Sequence, residues 1–294
     1  MKGVVFREPG GPEVLRVEDV PKPVPADGQL LVRTEAIGMS YYETMLRSGG
    51  FPFPVPLPVV FGFEAAGIAD GRRVVAFDMT GGAYAEFMVT SADKVTDVPD
   101  GLSAADAVAV AGQASTAAVV LEHAKLTGGE TILIESAAGP VGGYLAQLAR
   151  RAGVARIIGT AGGPAKIEHA LKVGFDEVVD HNVEGWQSRL SGIDVVFECI
   201  GGESAKKTLS VLKSDTGRMV GYGLISGSFP DIDENDPRYS RASMDNLPAR
   251  EMLELAANGD LTPLIDSVMP LEKAADAHRR YENRLATGKI VLVP

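Results

Sequence analysis

One cysteine, Cys199, is all that this 294-residue chain carries, which excludes an intrachain disulfide framework and any zinc site built from several thiolates. That scarcity fits a reducing compartment. Basic residues are also short: 28 Lys and Arg stand against 39 Asp and Glu, for a net charge of −11, and they form no cluster. The overall field repels phosphate backbones, so nucleic acid is not expected as a partner. No window reaches about 18 uninterrupted apolar residues; Ala107 to Leu121 comes nearest and is broken by Gln113, Ser115 and Thr116, so no membrane span is expected. The start, Met1 to Gly11, lacks the charged-then-apolar pattern of a signal peptide, and a cytoplasmic location is the expectation. With 45% hydrophobic and 23% charged residues, the chain reads as an ordinary globular protein of about two domains.

The first hundred residues are punctuated by Pro and Gly into short β-branched runs: Val4 to Phe6, Val14 to Val20, Leu30 to Ala36, Phe61 to Ile68, Val74 to Phe77 and Tyr84 to Val89. This half reads as a small barrel or sandwich. Ala69-Asp70-Gly71 predicts a tight type I′ hairpin, because Asp-Gly supplies the positive φ angles that turn needs. Alternate prolines from Pro52 to Pro58 predict an extended surface loop. After Asp100-Gly101 the texture changes. Ser103 to Asp106 resembles a capping box leading into an Ala-rich helix up to about Lys125. Strands and helices then alternate: Thr131 to Glu135, helix Val141 to Arg151, Arg156 to Gly159, helix Pro164 to Lys172, Glu177 to Asp180, Ile193 to Cys199, a helix near Ser204 to Leu212, and Arg218 to Tyr222. That rhythm predicts α/β architecture with a parallel sheet flanked by helices. Ser228 to Asn246 is polar and reads as a loop or lid, and the tail reads as a helix, Leu271 to Leu285, then a strand, Lys289 to Leu292.

The sharpest motif joins the strand Ile132 to Ser136 to Ala137-Ala138-Gly139-Pro140-Val141-Gly142. Gly139 lets the backbone approach a pyrophosphate, Pro140 preorganises the first helical turn, and Gly142 allows close helix packing; the exposed amides and helix dipole attract phosphate. Ala137 stands in place of the usual first glycine. About 20 residues on, an NAD-binding unit places an acid on the ribose hydroxyls; here the residues are Gly159 to Gly163. Without that carboxylate a 2′-phosphate is tolerated. Lys166, Thr160 as a hydroxyl donor, and His181 at the end of the third strand are the candidates to hold it, favouring NADPH over NADH.

Several segments, in order along nearly the whole chain, resemble the zinc-independent quinone oxidoreductase branch of the medium-chain dehydrogenase/reductases: Met1 to Leu15, Gly62-Phe63-Glu64-Ala65-Ala66-Gly67, the loop Ala137 to Gly142, Ala277-His278-Arg279 and Thr287-Gly288-Lys289. The resemblance implies a GroES-like β-rich catalytic domain (1–110, completed by 260–294), an inserted Rossmann domain with a doubly wound parallel sheet (111–259), and an active site in a cleft between them. Zinc-dependent relatives carry a cysteine and a histidine where this chain has Ser40 and Phe63, so no catalytic zinc is expected, and no structural zinc either. The implied activity is NADPH-dependent transfer of hydride to a small molecule, a quinone or an α,β-unsaturated carbonyl compound, with enoyl thioesters as a variant.

By the same resemblance, Ser40, Tyr41 and Tyr42 are the catalytic candidates, with a tyrosine first as proton donor. Gln113 and Thr116 resemble a Gln-x-x-Thr pair near the nicotinamide, where Gly221, Tyr222, Gly223, Leu224 and Ile225 also fall. Lys289 is a candidate to reach the cofactor from the tail, while Glu64 is structural. His278 falls on an apolar helix face with Leu271, Ala274 and Tyr281 and reads as a satisfied core residue; Cys199 reads as a packing thiol. His123 and His169 fall in helices outside any metal-ligand spacing, and Trp186 carries no motif. Two stretches are shorter than in the family, Ile68 to Arg73 and Ser228 to Leu253. The second removes part of an edge used for pairing in relatives, which disfavours a homodimer through that edge. An NADPH-binding sensor or partner-binding protein with little turnover stays open as the alternative function.

Overall fold

A computed structural model describes residues 1–51, 55–233 and 235–294. The elements run β1 (Lys2–Phe6), β2 (Arg16–Asp19), β3 (Gln29–Met39), α1 (Tyr41–Ser48), β4 (Val59–Val60), β5 (Glu64–Ala69), β6 (Arg72–Phe77), β7 (Phe87–Ser91) and β8 (Val95–Asp97). Then come α2 (Ala104–Ala124), β9 (Thr131–Ile134), α3 (Pro140–Arg151), β10 (Arg156–Ala161), α4 (Pro164–Val173), β11 (Glu177–Asp180), β12 (Val195–Glu198), α5 (Ser204–Leu209), β13 (Arg218–Gly221) and β14 (Tyr239–Arg241). The chain ends with α6 (Ala249–Ala257), β15 (Ile265–Pro270), α7 (Ala274–Glu282) and β16 (Lys289–Val293). Two compact units result, one from Met1–Gly112 with Ala249–Pro294, the other from Gln113–Pro248.

In the first unit β3 is the organising strand. Its N-terminal half pairs with β7, its C-terminal half with β16 on the same edge, and β5 lies along the other edge, all antiparallel. The sheet runs β15-β16-β3-β5-β6-β8, and a smaller sheet, β2-β1-β4, completes the unit. Alternating side chains of β3, from Val32 on, are buried against Phe61, Phe63 and Tyr84, whose rings meet edge-on at centroid distances of 5.6 and 5.5 Å from Phe61. Each such fully buried aromatic contributes about 1.5–3 kcal/mol. The Asp-Gly turn is as expected: Asp70 and Gly71 have φ of 48° and 74°, and Ala69 faces Arg72 across the hairpin. The proline-rich stretch divides, since residues 52–54 lie outside the described residues and 55–58 form neither helix nor strand.

In the second unit every ladder is parallel and the strand order is β11-β10-β9-β12-β13-β14. Numbered within the unit this is 3-2-1-4-5-6, whose order reverses between β9 and β12, the switch point where doubly wound sheets bind ligands beyond their strand ends. Leu133, Ile158, Val196 and Met219 form its core with Trp186.

Two expectations change, and one element is added. The cofactor unit closes at Pro248 rather than at 259, because α6 buries Met252, Leu253 and Ala256 and packs against β8 of the first unit. The polar stretch Ser228 to Asn246 contains a strand: Tyr239–Arg241 extends the sheet by main-chain bonds to β13, which require no apolar pattern. A helix, α1, follows Ser40 directly. The helix α2 has the length and a mean hydropathy of 1.5 that crossing a membrane requires, and half of that window is buried inside the protein.

Replacing Gly71 tests the hairpin. Gly71→Val puts a β-branched residue at φ 74° and is expected to lower stability by about 1–2 kcal/mol, and Gly71→Asn by less. Equal losses in thermal unfolding would contradict the turn assignment.

Candidate functional site

Two clusters of polar residues stand out, one in each unit. In the second unit, β9 leaves the sheet through Ser136, which adopts a left-handed φ of 53°. The loop is held from both sides, as Ala137 N–H donates to Thr160 O at 2.9 Å and Gly139 N–H to Ser136 O at 2.8 Å. Helix α3 then starts with Pro140, and its N-cap Gly139 supplies no side-chain cap. The first-turn amides of Val141 and Gly142 therefore present open donors to an anion, with Ala138 buried behind them. Gly142 is required by close approach: a Cβ there would lie 2.5 Å from Ser136 O. These features fit a pyrophosphate.

At the end of β10 the expected 2′-phosphate residues separate. Thr160 is 2% exposed, inside the sheet in register with Val179, so, contrary to the expectation from sequence, its side chain does not stand at the strand end; β10 runs on to Ala161. His181 does come to that end, with Nε2 2.9 Å from where a Cβ of Gly162 would be. Lys166 is half-buried on the following helix. Asp180, not singled out in the sequence, lies here too. Its Oδ1 accepts N–H bonds from Gly163 at 3.2 Å and Asn182 at 2.9 Å, which hold the carboxyl below its ordinary range. Gln113 and Thr116 are half-buried on α2.

The largest surprise is two acids at the switch point. Glu135 follows β9, Glu198 ends β12, and both are buried. Glu135 Oε2 accepts the N–H groups of Cys199 at 3.0 Å and Ile200 at 3.1 Å; Glu198 Oε1 accepts Gly201 N–H at 2.5 Å. Burial, then the neighbouring Glu198, push Glu135 up to about 8, and burial raises Glu198 as well. Segment 221–225 hangs from the same loop: Tyr222 N–H donates to Glu198 O, and Ile225 N–H to Cys199 O. The Tyr222 hydroxyl is buried among these acids. The acids were legible only as carboxylates closing two apolar runs.

In the first unit Ser40 caps α1, and its N–H donates to Glu43 Oε2 at 2.6 Å, closing a capping box that Ser-x-x-Glu already spells. Opposite it, register pairs Ile290 with Met39 and brings the tail alongside. The sequence suggests that Lys289 reaches a cofactor. Its ammonium is instead wholly buried, donating to Glu64 Oε2 at 2.6 Å and Ser40 Oγ at 3.2 Å, while Glu64 Oε1 accepts Gly112 N–H at 3.1 Å. Gly38 makes room: a Cβ there would lie 2.5 Å from Glu64 Oε2 and 2.8 Å from Lys289 Cε.

A second line of buried polar groups adjoins. Arg47 Nε donates to His278 Nδ1 at 3.3 Å, which assigns the ring proton to Nε2, 3.4 Å from Tyr84 OH; Tyr84 donates to Glu43 Oε2 at 3.3 Å. Burial holds His278 well below its ordinary pKa, so it is the neutral, satisfied core residue expected. Burial also pushes Glu43 up to about 8. Tyr42 stacks on Phe63 at 5.9 Å and its hydroxyl lies 3.8 Å from Met79 Sδ; burial, with Glu43 and Glu64 nearby, raises its pKa. Tyr41 lies under the Arg284 guanidinium, 4.3 Å from the ring centre, and edge-on to Tyr281. Cys199 is buried, and His123 Nε2 contacts Ser240 Oγ at 2.9 Å.

Known proteins resemble this chain along its length. A family described as zinc-binding dehydrogenase matches residues 173–292. Quinone oxidoreductase of Mus musculus is 30% identical, with 100% of this chain and 98% of its own length covered. That of Pseudomonas aeruginosa is 31% identical, covering 100% and 99%. The crystal structure of Escherichia coli quinone oxidoreductase complexed with NADPH superposes with a TM-score of 0.89 at 29% identity, covering 100% of both chains. Among the described residues, no three His, Cys, Asp or Glu side chains are grouped to hold a metal ion.

Lys289→Met leaves the Glu64 carboxylate buried and unpaired, an expected loss of about 3–5 kcal/mol in denaturant unfolding, and Lys289→Met with Glu64→Met recovers most of it. A loss below about 1 kcal/mol would show the pair to be dispensable. For Glu43, the unfolded group ionises near 4.5 while the folded one keeps its proton up to about 8, so wild type loses this stabilisation as pH rises across that window. The stability advantage of Glu43→Gln over wild type is therefore expected to grow from about pH 4.5 to about 8 and then level off, as thermal melts across pH will show.

Proposed function

Starting from the membership of this chain in the quinone oxidoreductase branch of the medium-chain dehydrogenase/reductases, we propose that it is an NADPH-dependent, metal-independent reductase of quinones or α,β-unsaturated carbonyl compounds. The observation that carries this reading is the uncapped helix start at Gly139-Pro140-Val141-Gly142 beside the switch point of a 3-2-1-4-5-6 sheet. Val141 and Gly142 amides hold the pyrophosphate, Lys166 and His181 the 2′-phosphate, and Thr116 with Gly221 to Ile225 the nicotinamide end. Asp180 at the same strand end stays ionised, its Oδ1 taken up by the N–H groups of Asn182 and Gly163, so Lys166 and His181 must outweigh its charge to hold the phosphate. The NADPH bound in the Escherichia coli relative supports the same preference.

Bound NADPH supplies a hydride. The chain's own part is the proton. Ser40 Oγ donates its proton to the acceptor oxygen and takes another from Lys289 Nζ, 3.2 Å away. Glu64 keeps that ammonium in place. Hydride plus this proton complete a two-electron reduction to hydroquinone or saturated carbonyl. The geometry favours Ser40 over the two tyrosines, since Tyr42 is held protonated among acids and Tyr41 is clamped face-on by Arg284. Ser40 and Phe63 at the positions of zinc ligands in metal-dependent relatives support a route without a Lewis acid.

The test is oxidation of NADPH and NADH by purified protein with an ortho-quinone, a para-quinone, an enone and an enoyl thioester, with and without chelator. Expected are chelator-resistant turnover preferring NADPH, a narrowed preference in Lys166→Ala and His181→Ala, and a loss of roughly a hundredfold in kcat for Ser40→Ala. NADPH binding with no turnover on any acceptor would favour a nucleotide sensor instead.

A further inference from the structure

We propose that Glu135 and Glu198 are positioning residues that share one proton and act as a latch for the cofactor segment 221–225. The proposal rests on the NADPH reading for its role in binding, but the latch itself stands on the fold of the second unit.

The two acids flank the switch point, on strands β9 and β12 that are neighbours in the sheet. Glu135 N–H donates to Phe197 O at 3.1 Å, so their backbones are tied as well. Three of the four carboxyl oxygens can be assigned. Glu135 Oε2 and Glu198 Oε1 take N–H bonds from Cys199, Ile200 and Gly201, while Glu198 Oε2 is buried and, among the described residues, faces no donor other than the Glu135 carboxyl itself. A proton on Glu135 Oε1 supplies the missing donor and removes the repulsion of two buried charges, as carboxylate dyads do. The raised pKa of both acids agrees with that arrangement. The other groups facing the pair are the Cys199 thiol, the Tyr222 hydroxyl and Thr208, with Arg241 of β14 the cation that acts on Glu198.

What the pair holds gives it a role. Carbonyls of Cys199 and Ile200, whose N–H groups Glu135 grips, accept the N–H groups of Ile225 at 3.0 Å and Ser226 at 2.8 Å. The Glu198 carbonyl accepts Tyr222 N–H at 2.9 Å. The chain of bonds thus runs from the shared proton through residues 199–201 to the segment assigned to the nicotinamide. Once the proton leaves, two carboxylates repel across the switch point, the 199–201 turn loosens, and segment 222–226 loses its anchor. Affinity for NADPH falls as pH rises through the ionisation of Glu135, which burial and Glu198 push up to about 8.

The experiment measures NADPH dissociation constants from pH 6 to 9.5 for wild type, Glu135→Gln and Glu198→Gln, beside a carboxyl ¹³C titration of each ligand-free protein. In Glu135→Gln the new side-chain amide donates permanently where the proton sat. Wild type is expected to weaken roughly tenfold above neutral pH, about one unit of coupling, while both Gln variants lose that dependence and one titration step near pH 8. Glu43, which titrates in the same range, remains in all three. Parallel affinity profiles with the titration step unchanged would overturn the latch. If no protein binds NADPH, the functional reading fails and the carboxyl titration still decides the latch. Should Glu135→Gln fail to fold, Glu198→Gln alone makes the comparison.

Discussion

The first unit depends on a charge pair placed where charges are most costly, the contact of Lys289 with Glu64 inside its core. Neither ion survives burial alone. Satisfying them recruits four elements: β16 brings the ammonium, β5 the carboxylate, Ser40 a hydroxyl at the start of α1, and Gly112 an amide from α2. The glycine at position 38 follows from the same demand, since no side chain fits beside the pair. The cluster ties the tail of the chain to its first third, with the Ser40 hydroxyl held against the buried ammonium.

The second unit meets the opposite demand. It buries two acids of like sign at the ends of two parallel strands, with Arg241 the cation acting on Glu198. Parallel strands end with backbone groups that the ladder no longer satisfies, and the carboxyls of Glu135 and Glu198 take up three such N–H groups. A buried acid that serves as acceptor to backbone amides and shares a proton with its neighbour keeps the turn in one conformation. Glu43 shows the same logic in the first unit, kept neutral by burial while it accepts from Ser40 and Tyr84. The net negative charge of the chain is thus lower inside than its composition implies.

Local chemistry was legible wherever one short segment sufficed. The Asp-Gly hairpin, the alternation of strands and helices after residue 125, the strand-turn-helix at 132–142 and the core character of His278 all depend on spacing within a few residues. Elements whose reasons lie elsewhere were not. β14 is a three-residue polar strand that exists because β13 offers an open edge. α6 has an ordinary apolar stripe that does not say which unit it packs on. Thr160 lies on a strand buried from Ile157 to its end at Ala161, which its own polar side chain does not announce. α1 was spelled out by Ser-x-x-Glu, a signal that was available but masked by the two tyrosines beside it.

By itself the sequence determined the doubly wound sheet, the β-rich unit that precedes it, and the family, because hydrophobic period, turn residues and glycine spacing are written locally and in order. Only the tertiary structure decided that Lys289 faces Glu64 and Ser40, 225 and 249 residues away, and that Glu135 meets Glu198 at the switch point. Those partners are set by strand order and register, and burial then settles which group keeps its proton, so no local pattern of residues can carry the answer.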